Sequence, residues 1–136
     1  MELKEQLASV PLLAGVPDKV RRRLAEIGKR RRYAPGEVIV REGESGIAFY
    51  IVLTGSARVE QGGQAIGQLA AGDFFGELAL IEEHERTATV VADEETECLG
   101  WTRWEFTALL NEHPEVAVPI MHVLIKRLHR REHHGA

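Results

Sequence analysis

The chain has 136 residues, 44% hydrophobic and 28% charged, with a net charge of −4 from 17 basic and 21 acidic side chains. That length suits one core in a soluble protein, and the acidic balance argues against nucleic acid as the main partner, which calls for a basic excess. No apolar run is long enough to cross a bilayer, the opening MELKEQLASV lacks a signal-peptide core, and the lone Cys98 excludes an internal disulfide, so a reducing, cytoplasmic setting is expected.

Residues 2–8 can form a short helix, followed by an apolar turn at Leu12, Leu13 and Ala14. Pro17 opens a helix to about Ile27, because Val20, Leu24 and Ile27 fall at i, i+4 and i+7 and make one apolar stripe. Arg21, Arg22 and Arg23 fall on the other side and, like the runs 29–32 and 126–131, read as solvated faces. After Gly28 the period changes. Strands are expected at 32–33, 37–41, 47–53, 57–60, 65–69, 87–92 and 96–101, with glycine-containing turns at 35–36, 42–46, 54–55 and 62–63. Short strands at that spacing read as a sandwich or barrel of about eight strands. Cys98, within one of them, reads as a packed residue.

From Arg103 the helical period returns. Trp104, Phe106, Leu109 and Leu110 suit a short helix ended by Asn111 to Pro114. A second helix is expected over most of 115–131, with Val116, Ile120, Val123, Leu124 and Leu128 as its apolar face; Pro119 fits there only in the first turn. The layout is therefore mainly β with flanking α-helices in one domain, 1–136: helices in 1–28, strands in 30–102 and two C-terminal helices in 103–134.

The most informative stretch is 75–90, FGELALIEEHERTATV. A Gly-Glu pair at a tight turn into a short helix offers backbone N–H groups to an anion. Arg86 can add a bidentate grip on two phosphate oxygens. Glu77 cannot favour a phosphate by charge, so its partner is a donor such as a ribose hydroxyl. A ligand carrying both a phosphate and a sugar is implied. A purely structural Glu77–Arg86 ion pair is the competing interpretation, though buried pairs are poor stabilisers.

This stretch closely resembles the phosphate-binding cassette of cyclic nucleotide-binding domains, as in protein kinase A regulatory subunits, nucleotide-gated channels and catabolite activator protein. YAPGEVIVREGESGIAFYIVLTGSARV, with Gly36, Gly43, Gly46 and Gly55, is similar to the family's first strands. The resemblance covers about residues 5–130 and implies an eight-stranded double-stranded β-helix, or jelly roll. It assigns Glu77 to the ribose 2′-hydroxyl, Arg86 to the cyclic phosphate, the backbone of Gly76, Leu78 and Ala79 to sugar and phosphate, and Thr87 to phosphate or base. A C-terminal lid helix is also implied, with His122, Ile125, Lys126 and His129 as candidates. cAMP is the better match and cGMP the alternative, since a hydroxyl at Thr87 serves either. The sequence departs from the family at Glu85, where a proline often stands, and Glu82, Glu83 and Glu85 are expected to face solvent.

The function implied is a non-enzymatic sensor that changes conformation on binding a cyclic nucleotide and regulates a partner, a protein effector or a fused output domain. The alternative is the ligand-binding half of a catabolite-activator-type regulator without its DNA-binding domain, dimerising through the C-terminal helix. The few residues after Arg131 encode no output element. A metal enzyme on a cupin-like fold would need clustered histidines on strands, whereas five of the six lie at His113, His122, His129, His133 and His134. His129 and His133 could hold a stray metal at i, i+4. No metal site, cofactor or catalytic constellation is expected.

Overall fold

The structure, a computed structural model, describes residues 2–80 and 84–133; within these, the side chains at 78, 80, 84 and 128–133 lie outside the description. The chain forms two compact units, one of Ile27–Thr107 and one of Met1–Glu26 with Ala108–Ala136.

The first unit holds β1 (Lys29–Tyr33), β2 (Val38–Val40), β3 (Ser45–Gly46), β4 (Ala48–Thr54), β5 (Ser56–Gln61), β6 (Gln64–Ala70), β7 (Phe74–Phe75), β8 (His84–Glu85), β9 (Thr89–Ala92) and β10 (Thr96–Thr102). They pair antiparallel as two four-stranded sheets, β1-β10-β4-β7 and β2-β9-β5-β6, with β3-β8 as a separate ribbon. This is the expected jelly roll. Strands β3, β7 and β8 carry no period of their own because two residues cannot show one, and all three frame the 75–90 segment.

Apolar residues of both sheets meet inside. Tyr33, Val52, Phe75 and Cys98 come from one sheet and Ala57, Leu69, Val90 and Ala92 from the other, all buried in one cluster. A second, aromatic group surrounds Phe49, whose ring lies 5.8 Å from Trp101, 5.7 Å from Phe106 and 5.8 Å from Phe74. Central strands β4 and β10 thus bury residues of both faces, which is why β4 reads as a near-continuous apolar run. Gly28 is required by this packing, since a Cβ there would stand 2.8 Å from Leu99 and 2.9 Å from the Trp101 indole nitrogen. Burial pushes the Cys98 thiol up to about 12, with Glu97 adding to the effect, so Cys98 is a packed residue as expected.

The second unit draws on α1 (Leu3–Ala8), a 3-10 turn (Pro11–Leu13), α2 (Asp18–Ile27), the end of α3 (Arg103–Glu112), a 3-10 turn (Pro114–Val116) and α4 (Ala117–His133). Leu7, Leu12, Leu13, Val20, Leu24, Val116 and Ile120 are buried. The Pro11–Leu13 turn packs against α1 and α4, and Gly15 admits Pro119, whose Cβ would lie 3.0 Å from an added one. Pro119 stands in the first turn of α4, where its missing N–H costs nothing. One expectation is corrected. Arg21 is not part of a solvated face: its guanidinium turns in and donates to the carbonyls of Leu13 (3.1 Å) and Val16, tying α2 to the turn before it.

Candidate functional site

The site is assembled around Arg86. Strand β7 pairs with β4 through Tyr50↔Phe75 and Ile51↔Phe74, and Gly76 then turns the chain with φ 82°, a conformation that suits glycine. Glu77 opens the expected short helix, which is a single 3-10 turn, Glu77–Leu80. In it the Ala79 N–H donates to Gly76 O at 3.0 Å, so that amide is engaged within the turn. A four-residue turn also builds little dipole, so the helix-mouth contribution foreseen for an anion is reduced and more weight falls on Arg86.

The backbone of Arg86 is held from the β2–β3 loop: Gly43 N–H donates to Arg86 O, and Arg86 N–H donates to Glu44 O, each at 2.8 Å. Its guanidinium is partly buried. Nη2 donates to Ala48 O at 2.8 Å, and the group lies 5.9 Å from the centre of the Tyr50 ring, which stacks in turn on Phe75 at 5.1 Å. Burial holds the Arg86 pKa below its usual value, while Tyr50 and Glu77 act the other way, so Glu77 and Arg86 share one electrostatic neighbourhood. A guanidinium carries five N–H donors in a fixed fork, so a bond from Nη2 to Ala48 O is compatible with a grip on a second acceptor.

Three glycines open this space. A Cβ at Gly46 would overlap the Arg86 guanidinium, one at Gly76 would stand 2.7 Å from Arg86 Nη1, and one at Gly100 would stand 2.9 Å from the Tyr50 ring. Gly46, Tyr50 and Gly100 were missed from sequence as site residues. Tyr50 reads simply as one more aromatic of a strong strand, and Gly100 lies fifty positions away; only the β4–β10 pairing, Gly100↔Tyr50, connects them.

Of the sequence-derived candidates, Gly76, Glu77, Ala79, Arg86 and Thr87 come together in this unit, and the Leu78 backbone lies in the same turn. Ala79 is buried and Thr87 is exposed beside Arg86. Glu85 is exposed, as foreseen, and pairs with Ser45, while Glu82 and Glu83 lie outside the described residues. His122, Ile125 and Lys126 are exposed on α4, in the other unit; the side chains of His129 and His133, and the whole of His134, lie outside the described residues. No group of three or more metal-ligating side chains occurs among the described residues, and no described helix is long and apolar enough to cross a membrane.

The family model for the cyclic nucleotide-binding domain matches residues 30–113, which contain the whole Arg86 cradle. The chain belongs to the cyclic nucleotide-binding domain family. Among the relatives of this family member, the cyclic AMP receptor protein of Thermus thermophilus is 37% identical over 87% of the chain. The cGMP-dependent protein kinase of Toxoplasma gondii is 35% identical over 73% of it. The solved structure of cAMP-bound PfPKA-R (141-441) superposes with a TM-score of 0.83 over 95% of the chain, at 29% identity. The chain spans 57% and 10% of the two relatives' lengths and 43% of the solved chain. The family is a regulatory, ligand-binding one, and no catalytic family is indicated.

Proposed function

We propose that residues 1–136 act as one cyclic nucleotide-binding domain that takes cAMP in preference to cGMP and passes the binding event to a partner. The observation that carries this reading is the Arg86 cradle. A partly desolvated guanidinium, braced by Ala48 O and the Tyr50 ring and adjoined by Glu77, suits a ligand with one negative charge and a hydroxyl beside it. A cyclic phosphodiester is such an anion, and one arginine with nearby amides neutralises it without a metal. In this reading Glu77 accepts from the ribose 2′-hydroxyl, Gly76, Leu78 and Ala79 line sugar and phosphate with their backbone, and Thr87 adds a hydroxyl toward phosphate or base. The choice between the two bases is decided by titration, since relatives named for cAMP and for cGMP both match the chain.

A thermal-shift titration with cAMP, cGMP and 5′-AMP tests it. Cyclic nucleotide at a hundredfold excess over Kd adds about 2.7 kcal/mol, a rise of several degrees in the melting temperature. Arg86→Ala abolishes the rise, Arg86→Lys recovers part of it, and Glu77→Ala weakens it. No shift with either cyclic nucleotide overturns the proposal.

The ligand-binding half of a catabolite-activator-type regulator is the second reading. It is favoured by the match to the Thermus protein and by Val118, Met121 and Ile125, which are exposed at i, i+3 and i+7 on α4. Sedimentation with and without cAMP separates the two, because a monomer in both states at high concentration counts against a regulator of this kind.

A further inference from the structure

The segment that leaves the phosphate site, 86–89, is gripped by more than its own ladder. Strand β9 lies between β2 and β5 in its sheet. The β5–β9 pairing ends at Glu60↔Thr89, one residue short of Gln61. Beyond that point a side chain continues the ladder: Gln61 Nε2 donates to Thr87 O at 3.0 Å. On the β2 side, Glu42 N–H donates to Thr89 Oγ1 at 2.9 Å. The same Glu42 reaches with its carboxylate to the tip of the β5–β6 hairpin, where Oε1 accepts from Gly62 N–H at 3.0 Å. The hairpin tip needs this fastening. Its Gly62-Gly63 turn has φ 59° and 80°, both glycines are exposed, and a Cβ at either would meet nothing within 4 Å.

We propose that Gln61 and Glu42 are positioning residues that close a clasp over residues 86–89 and set the pose of Arg86 and Thr87 toward the ligand. The inference rests on the reading of Arg86 and Thr87 as phosphate contacts. Arg86 already has both backbone groups on the β2–β3 loop, at Gly43 and Glu44, so the loop carrying Glu42 and the peptide carrying the guanidinium move as one piece. Thr87 is exposed, and the Gln61 amide is the contact on its carbonyl. Losing that contact frees the peptide plane between Thr87 and Ala88 to rotate, and with it the Thr87 side chain next to Arg86. Because Glu42 ties the loop to the hairpin, order at the Gly62-Gly63 tip and ligand affinity are linked, and each raises the other.

The test combines two side-chain deletions, the first close to isosteric, with a measurement that needs no ligand. Gln61→Met keeps the length of the side chain and removes the donor; Glu42→Ala removes the acceptor, and Glu42→Gln restores one. Gln61→Met and Glu42→Ala are each expected to weaken cAMP binding about threefold to tenfold, with the ligand-free melting temperature within about 2 °C of wild type. The double variant falls short of the product of the two, since both break one clasp. Glu42→Gln binds as wild type does. In ligand-free protein, hydrogen exchange at the Arg86 amide quickens in Gln61→Met and in Glu42→Ala. If wild type itself binds neither cyclic nucleotide, the functional reading fails while the clasp is still judged on that exchange rate. Unchanged exchange at Arg86 in both variants, or wild-type cAMP affinity in both, overturns the proposal.

Discussion

Gly46 and Gly76 both face Arg86, yet for different reasons. Gly76 has φ 82°, so any side chain there strains the backbone, and an added Cβ also meets Ala48 O at 2.9 Å. Gly46 has no such φ, and what its Cβ would meet is the movable end of Arg86. Gly46→Ala should therefore leave the fold nearly intact and displace only the guanidinium. A charge-assisted hydrogen bond contributes about 1.5–3 kcal/mol, so cAMP affinity should fall about tenfold to a hundredfold by calorimetry. The melting temperature should drop far less than in Gly76→Ala. Equal losses of stability in the two variants would show that Gly46 serves packing, not the pose of Arg86.

Among the elements, β1 shows how charge protects an exposed edge. It lies at the end of its sheet and presents Lys29, Arg30, Arg31 and Arg32, all exposed, which discourages pairing with another chain. Arg30 also donates to Glu97 at 2.7 Å on neighbouring β10, and this hydrogen bond holds the Glu97 carboxyl below its usual range. Because the folded-state pKa is the lower one, the stability this pair contributes is present above the unfolded-state value of 4.5 and is lost as pH falls through the folded-state value. Arg30 is about half exposed, so the contribution is small, about 0.5 kcal/mol. Arg30→Ala should lower the melting temperature by a few degrees at most at pH 7, and the difference from wild type should shrink as pH falls below 4.5 toward the folded-state value. A difference that persists there would point to packing by the arginine stem. At an edge of the second sheet, β6 carries no charged residue and leaves Ile66 exposed, so the sheets are guarded unequally.

For the molecule as a whole, Cys98 is a built-in probe of opening. It is fully enclosed between the sheets and its thiol is pushed up to about 12, so at pH 8 in the native state it should resist iodoacetamide. Alkylation then reports the fraction of molecules that open. Ligand at a hundredfold excess over Kd lowers that fraction about a hundredfold, and the rate should slow in proportion when opening is fast relative to labelling. Mass spectrometry with and without cAMP reads this directly. Rapid labelling of the native protein would mean that the strands around Cys98 open locally.

Glycines in turns and alternating strands made a sandwich or barrel legible in the chain itself, and the resemblance of 75–90 to a phosphate-binding cassette named the jelly roll and the candidate site residues, because these are local signals set by backbone conformation and residue chemistry. Pro17 and the Val20–Leu24 spacing likewise marked α2 before any packing was known. What the tertiary structure decided is whatever depends on contacts distant in sequence. The two-residue strands β3 and β8 exist only because each supplies the other's hydrogen bonds. Arg21 turns inward because the preceding turn brings the carbonyls of Leu13 and Val16 within reach of its guanidinium. The brace behind Arg86 needs Tyr50, Gly46 and Gly100, which no spacing connects and which β-pairing across fifty residues brings to one place.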